Sequence, residues 1–416
     1  MSSIWDMVVG HDEAVAMLKD AVAGGRVTHA WLFTGPPGIG KLHTARVFAA
    51  ALNCPAGGDG TCDTCRRILR GVHPDVHLIV PEGDNLLVED VRAVREEASR
   101  THHEARTAVF ILDEADRMTE AAANALLKVL EEPPPEVVFV LVVRSAEALV
   151  GTVPSRARIL PFVSLSLAEL TAALDDDLQL TPDQTTWAAA ASHGRLARAR
   201  SLLADEAART RRSTVLDLTE RLASGQPSDA LAAAATVVAI ADEVAAAARS
   251  RQEREVAELE EAFGTGRGTG ALRKRLETRH RRELRRVRFD AIRDSLADLL
   301  GAYRDIALLA VAPPGNELGP EEVRRVEGAG GLEGAGGLES AGEAPLVHPD
   351  KAGTFTRLAA RIDPATALRA AGAIEEADRR LAIGAAPLLT LEAAFLSVQA
   401  ALRGPAIPIN RLAIRR

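Results

Sequence analysis

Gly35-Pro36-Pro37-Gly38-Ile39-Gly40-Lys41 is the stretch that decides the fold. It follows the apolar run Trp31 to Thr34 and opens a helical pattern from Lys41 to Leu52. Gly-x4-Gly-Lys between a strand and a helix is the pattern of a P-loop: backbone N–H groups at a helix N-terminus and a lysine cradle phosphates. The plainer alternative is a tight strand-to-helix turn whose glycines serve geometry alone. The next position normally carries Ser or Thr, whose hydroxyl ligates Mg²⁺; here it is Leu42. His43 and Thr44 do not substitute for it, because a helix turns by about 100° per residue. The loop is therefore expected to hold the phosphates of ATP without a magnesium ligand of its own, and hydrolysis by the chain is in doubt.

Outward from the loop, short β-rich runs alternate with amphipathic helical runs. Strands are expected at Trp31 to Thr34, Val76 to Val80, Thr107 to Leu112 and Val137 to Val143, and helices at Asp12 to Ala23, Lys41 to Leu52, Val88 to Ser99 and Thr119 to Glu131. Pro133-Pro134-Pro135 stops the last helix, since proline lacks the N–H and clashes with the preceding turn. This alternation predicts a parallel sheet flanked by helices. The third strand ends in Asp113-Glu114. In a P-loop ATPase the first carboxylate holds the magnesium shell and the second polarises the attacking water, although a carboxylate pair at a strand end also caps helices.

The chain has 416 residues, 47% of them apolar but only 3% aromatic, which favours two or three domains dominated by Ala- and Leu-rich helix packing. A formal net charge of −8 excludes a chain that coats nucleic acid along its whole length. The N-terminus Met1 to Asp6 has neither a basic nor an apolar targeting region, and no run is expected to reach the ~18 apolar residues of a membrane span. A cytoplasmic protein with no membrane partner is the expectation. Domains are expected over 1–163, a small helical lid over 164–210 with one helix from Trp187 to Ala204, and an all-α region over 211–416. Within the last lies a charged helical hairpin over 241–300, turning at Gly264 to Gly270. A Gly-rich insertion over 313–345 repeats Gly-Ala-Gly-Gly-Leu-Glu in tandem and is expected to be disordered.

Three cysteines, Cys54, Cys62 and Cys65, crowd one short stretch with Asp59 among them. Thiolates at this spacing can share a tetrahedral Zn²⁺, with Asp59 as fourth ligand. A redox pair and simple structural thiols are the other readings, and the sequence leaves all three open.

Taken together, the residues resemble the bacterial clamp-loader AAA+ subunits, a family that comprises the ATP-hydrolysing gamma/tau proteins and the delta-prime protein. The resemblance covers residues 5 to about 205. It rests on Val9-Gly10-His11, Thr28 to Phe33, the P-loop, the cysteine cluster, Gly71-Val72-His73-Pro74-Asp75, Asp113-Glu114-Ala115-Asp116, Asn124 to Pro133 and Ser155-Arg156. It implies an α/β P-loop AAA+ domain, a helical lid and an all-α collar. It also implies that Arg156 is an arginine finger acting in trans, that Ser145 is a sensor residue, that His193-Gly194-Arg195 is a second sensor region, and that Glu114 is a vestigial water-polarising carboxylate.

Implied partners are gamma/tau and delta subunits in a hetero-oligomeric ring, a sliding clamp, and primer-template DNA reached through the complex. Leu42 departs from the ATP-hydrolysing pattern and favours the delta-prime type; Asp59 stands where the family has a fourth cysteine, which puts zinc in question. An active gamma/tau-type motor and a DNA-binding adaptor working through the hairpin are the alternatives. The hairpin's basic arm, Arg273 to Arg288, lies opposite acid-rich Glu253 to Glu261, so the two arms could simply pair with each other. A polymerase label would describe the holoenzyme, since no two-metal catalytic domain is evident.

Overall fold

The computed structural model describes residues 3–81, 85–100, 103–149, 152–175, 180–263, 267–311, 346–382 and 384–403. They fall into two compact units, one formed by Met1–Leu180 with Gly194–Arg198, the other by Thr181–His193 with Ala199–Arg416. The Gly-rich insertion expected over 313–345 lies outside the described residues.

The first unit is built on a parallel sheet of β1 (Ala30–Thr34), β2 (Val76–Ile79), β3 (Ala108–Leu112), β4 (Val137–Val142) and β5 (Arg158–Pro161), in the order β2-β3-β4-β1-β5. β1 runs between β4 and β5, with Leu32 opposite Leu141 on one side and Ile159 on the other. Side chains alternate along a strand: Trp31 and Phe33 enter one core with Phe48, while Ala30 and Leu32 enter the other with Leu126 and Phe139. Burial on both faces explains why β1, β3 and β4 read as unbroken apolar runs. The four expected strands are present, within a residue or two of the expected ends. The fifth was not anticipated, because in β5 only Leu160 is buried. A charged, proline-ended edge strand gives no hydrophobic signal.

Helices α1 (Asp12–Ala23), α2 (Lys41–Asn53), α3 (Asp63–Arg70), α4 (Val88–Ala98), α5 (Glu120–Glu131) and α6 (Leu167–Asp175) complete this unit. Thr119 caps α5 by accepting from the Ala122 N–H at 3.2 Å, one of the donors a helix start leaves unsatisfied.

The second unit is helical: α7 (Pro182–Ala191), α8 (Leu196–Ala204) from Ala199 onward, α9 (Glu206–Ala223), α10 (Pro227–Phe263), α11 (Arg267–Val311), α12 (Ala352–Ala359), α13 (Pro364–Ala382) and α14 (Pro387–Leu402). The single helix expected from Trp187 to Ala204 is in fact two, α7 and α8, separated at His193 and Gly194, whose φ angles are +54° and +78°. The left-handed region cannot continue a right-handed helix. Thr181 starts α7 with a capping box to Gln184. Of the turn expected at Gly264 to Gly270, Arg267 to Gly270 belong to α11 instead, and residues 264–266 lie outside the described residues. The expectation that no run reaches a membrane span is also corrected: Pro227–Ala257 is long and apolar enough by length and composition. Its Ala230, Ala233, Ala234, Val237 and Ala241 pack in the helical core, as those of a core helix do.

A buried polar network fastens residues 347–350 within the second unit. Asp305 accepts from the N–H groups of Val347 at 3.1 Å and His348 at 2.9 Å, and Arg212 donates to both Asp350 oxygens at 2.7 and 2.9 Å. Burial pushes Asp305 up to about 6 despite those donors.

In the first unit Asp75 does comparable work between β2 and β3. Its carboxylate, 3% exposed as a residue, accepts the N–H groups of His103, Glu104 and Ala105 at 2.8, 2.9 and 2.8 Å. Burial alone would push the carboxyl up; the three donors outweigh it and hold the group below the usual range. Its stabilisation is thus complete above the ordinary carboxylate value of about 3.9 and is lost as pH falls through the lowered value. Asp75→Ala removes the common acceptor of three part-buried N–H groups and is expected to cost about 1–3 kcal/mol. The denaturation midpoint of the variant, measured at pH 7, checks this.

Candidate functional site

Parallel strands bring their carboxyl ends to one edge of the sheet, where ligands of open α/β sheets bind. At that edge lie the P-loop after β1, Asp113-Glu114 after β3, Arg144-Ser145 after β4 and Phe162 after β5. Backbone bonds tie them together: Gly35 N donates to Arg144 O at 3.0 Å, and Phe162 N donates to Thr34 O at 2.7 Å.

Gly35 has φ +140°, and a methyl group there would lie 2.1 Å from the Phe162 carbonyl oxygen. Only glycine fits. At Gly38, φ +81°, a methyl would lie 2.8 Å from Cδ of Arg195, so this arginine is packed against the loop. His11, from the N-terminal Val-Gly-His motif, places Nε2 2.9 Å from Ile39 O and its ring centroid 4.9 Å from that of Phe162. Lys41 is 6% exposed, and its Nζ donates to the carbonyls of Gly35 and Pro36. Gly40, φ +104°, stands immediately before α2.

Leu42 is partly buried and packs on the core shared by Phe48 and Trp31. Thr44 is buried and returns its hydroxyl to Gly40 O at 3.1 Å, while His43 reaches Met7 O at 3.0 Å. The Thr44 hydroxyl is thus bonded within the first turn of α2.

Asp113 is 4% exposed and accepts the Glu114 N–H at 3.1 Å. Glu114 sits at φ +52°, and its Oε2 accepts from Arg117 Nη1 at 2.7 Å. That ion pair competes with any role for Glu114 in orienting water. Arg144 Nε donates to Asp116 Oδ2 at 2.6 Å. Ser145 precedes a short 3₁₀ turn, Ala146–Ala148; the Glu147 backbone N–H and then the Ser145 hydroxyl hold the Glu147 carboxyl below its usual range.

Arg156 ends a 3₁₀ turn, Pro154–Arg156, leading into β5. Nη2 donates to Glu131 Oε1 at 2.6 Å, and Nη1 to Thr152 O at 3.0 Å and Ser155 Oγ at 3.3 Å. Two sequence motifs meet here, the end of α5 and Ser155-Arg156, a pairing that residue spacing does not reveal. With side chains 34% and 51% exposed, the ion pair lies at the surface.

The structure also brings the cysteine cluster together. Cys54 Sγ lies 3.7 Å from Cys62 Sγ and 3.6 Å from Asp59 Oδ1, and donor atoms of Cys54, Asp59, Cys62 and Cys65 all lie within 4.8 Å of one another. A tetrahedral Zn²⁺ with Zn–S of about 2.3 Å would separate two sulfurs by about 3.8 Å, so the set fits. Asp59 Oδ1 also accepts the N–H groups of Thr61 and Cys62, each at 3.1 Å. The Cys62 N–H is the largest cause holding the Asp59 carboxyl far below its usual range, so Asp59 is an anion across the physiological range.

A strand-bounded phosphate loop, a buried aspartate at the end of β3 and the sheet order β2-β3-β4-β1-β5 define a P-loop domain of the AAA+ type. Residues 10–166 match the sequence profile of the family described as DNA polymerase III, delta subunit. The DNA polymerase III subunit delta' of Bacillus subtilis is 40% identical over 152 residues, 36% of this chain and 46% of that protein. The subunit gamma/tau of Mycobacterium bovis is 36% identical over 160 residues, 37% of this chain and 28% of that protein. A crystal structure of a DNA polymerase III, gamma subunit-related protein from Thermotoga maritima aligns over 66% of this chain and 99% of its own, at 16% identity and a TM-score of 0.34. Over residues 10–166 the chain is thus similar to the delta-prime and gamma/tau subunits of DNA polymerase III. The alignments span less than half the length of these two curated relatives.

Proposed function

We propose that the chain is a delta-prime-type subunit of a DNA polymerase III clamp loader, a stationary member of the ring that assists ATP-driven loading of a sliding clamp onto primed DNA in the cytoplasm. The observation that carries this reading is Leu42, an apolar side chain packed on the core where a motor needs a magnesium-ligating hydroxyl. The loop around it keeps a geometry suited to phosphate: Gly35, Pro36, Pro37, Gly38, Ile39, Gly40 and Lys41, with Asp113 and Ser145 at the same sheet edge. ATP bound there would lack a P-loop magnesium ligand.

Arg156 is the residue assigned to act on a neighbour, as an arginine finger delivered to ATP on a gamma/tau subunit. Its surface pair with Glu131 supports this. An exposed ion pair is worth roughly 0–1 kcal/mol, so exchanging Glu131 for a partner's phosphate costs little, and the pair pre-orients the guanidinium until then. Exposed apolar residues Leu388, Leu389 and Leu396 on α14 and Leu368 on α13 suit packing against gamma/tau and delta subunits in a collar. Cys54, Asp59, Cys62 and Cys65 would hold a structural Zn²⁺, whose binding contributes folding energy to the segment between α2 and α3.

A finger of this kind is worth about 10³–10⁵ in rate at the site it serves. The purified chain alone is expected not to turn over ATP. Mixed with its cognate gamma/tau and delta subunits, Arg156→Ala should remove that site's share of turnover while the complex still assembles on a sizing column. Unchanged turnover in an intact complex, or hydrolysis by the isolated chain, would displace this reading in favour of a gamma/tau-type motor. For the metal, elemental analysis of protein purified without chelator should find about one zinc per chain, lost in Cys62→Ser. A folded wild type without zinc would refute the site.

A further inference from the structure

The distal parts of α10 and α11 are left without a task by the reading above. Between Arg249 and Arg288 the sequence holds 13 Lys and Arg against 7 Asp and Glu, an excess of six positive charges in a chain of net −8. The remaining residues therefore carry −14, the difference between −8 and +6. Among the described residues, no buried member of the helical core cluster lies between Ala241 on α10 and Ile292 on α11. Among the described residues, those buried in that interval are Ala248, Gln252 and His280. The two helices bond across their own seam there, Gln252 Nε2 donating to His280 O at 3.3 Å and to Glu283 Oε2 at 3.0 Å. His280 Nε2 lies 2.9 Å from Glu255 Oε2.

Mutual pairing of the arms consumes part of the charge. Arg288 bonds Asp242 at 2.5 Å across the hairpin, and Arg273 bonds Glu277 at 2.7 Å within α11. It does not consume all of it: Arg249, Arg251 and Arg281 are exposed, and no carboxylate pairs with any of them among the described residues.

We propose that this basic hairpin is a contact surface for the phosphate backbone of duplex DNA. The basic run from Arg273 to Arg288 extends about 24 Å along a helix rising 1.5 Å per residue, most of one turn of B-DNA at about 34 Å. A duplex presents one charge per about 1.7 Å of axis, and the run offers nine Lys and Arg, one per about 2.7 Å of helix, so phosphates outnumber the cations along its length. Single strands are bound largely through aromatic stacking, and no aromatic residue occurs between Arg267 and Arg288. A net-negative remainder repels DNA, which confines contact to the hairpin. The contact is independent of Arg156, so the two readings fail separately.

The full chain and Arg249→Gln/Arg251→Gln/Arg281→Gln are compared for binding to a labelled duplex of about 30 base pairs across 50–300 mM NaCl, with a single strand of the same length and circular dichroism as controls. Glutamine keeps helix propensity near that of arginine, and none of the three arginines is in an ion pair among the described residues, so the fold should be unchanged. Each phosphate contact contributes about 0.9 to the log–log salt slope. The triple variant should bind the duplex at least tenfold more weakly, with a slope shallower by about 2–3. Equal affinity of variant and wild type, no duplex binding by wild type at 50 mM salt, or preference for the single strand would each overturn the proposal, the first two in favour of an acidic protein partner.

Discussion

The approach of Gly35 to the end of β5 is the constraint on which the ligand edge depends. With the Phe162 carbonyl 2.1 Å from where a side chain would begin, the chain must leave β1 as bare backbone. That fixes where the loop starts, and the Arg144 carbonyl holding Gly35 N fixes it against β4 as well. From there the loop can close beneath His11 and Arg195 and deliver Lys41 to the head of α2. Displacing this one contact would shift the loop relative to Asp113 and Ser145, which are placed by other strands. Preorganised dipoles act only where geometry is held, so the tight backbone packing matters more here than any single side chain.

Much of this was legible in the sequence because strands buried on both faces and a glycine-spaced loop leave strong local signals. β1, β3 and β4 announced themselves as apolar runs, and α2 as the helix that a P-loop must open. What was hidden had its cause in tertiary contact. β5 exposes three of its four residues and is held by pairing with β1, which periodicity does not register. The break between α7 and α8 rests on a histidine at positive φ, an uncommon choice for a residue with a Cβ. Asp75 stood in a motif noted for its resemblance, but its job as acceptor for three N–H groups about thirty residues on could not be read from spacing.

The site divides in the same way. The defect at Leu42 was readable from residue identity and helix rotation alone, and the structure adds that Thr44 is bound to Gly40 rather than free to compensate. The proximity of Cys54, Asp59, Cys62 and Cys65 was expected from spacing; that Asp59 spends one oxygen on two N–H groups was not. The partners of Arg156 and Glu114 were invisible, since both are ion pairs formed by side chains brought together only on folding. Glu114 is tied to Arg117 and Arg156 to Glu131, so both groups are engaged by this chain's own residues.

The central claim is that the loop keeps a phosphate cradle but has lost its magnesium side-chain ligand. Calorimetric titration of ATP into the purified chain, with Mg²⁺ and with EDTA, in wild type and Leu42→Thr, tests it most directly. The account predicts wild-type affinity that Mg²⁺ changes by less than about threefold and a Leu42→Thr affinity that it tightens by about tenfold, since one ligand to the ion is restored. Strong magnesium-dependent tightening in wild type would contradict it.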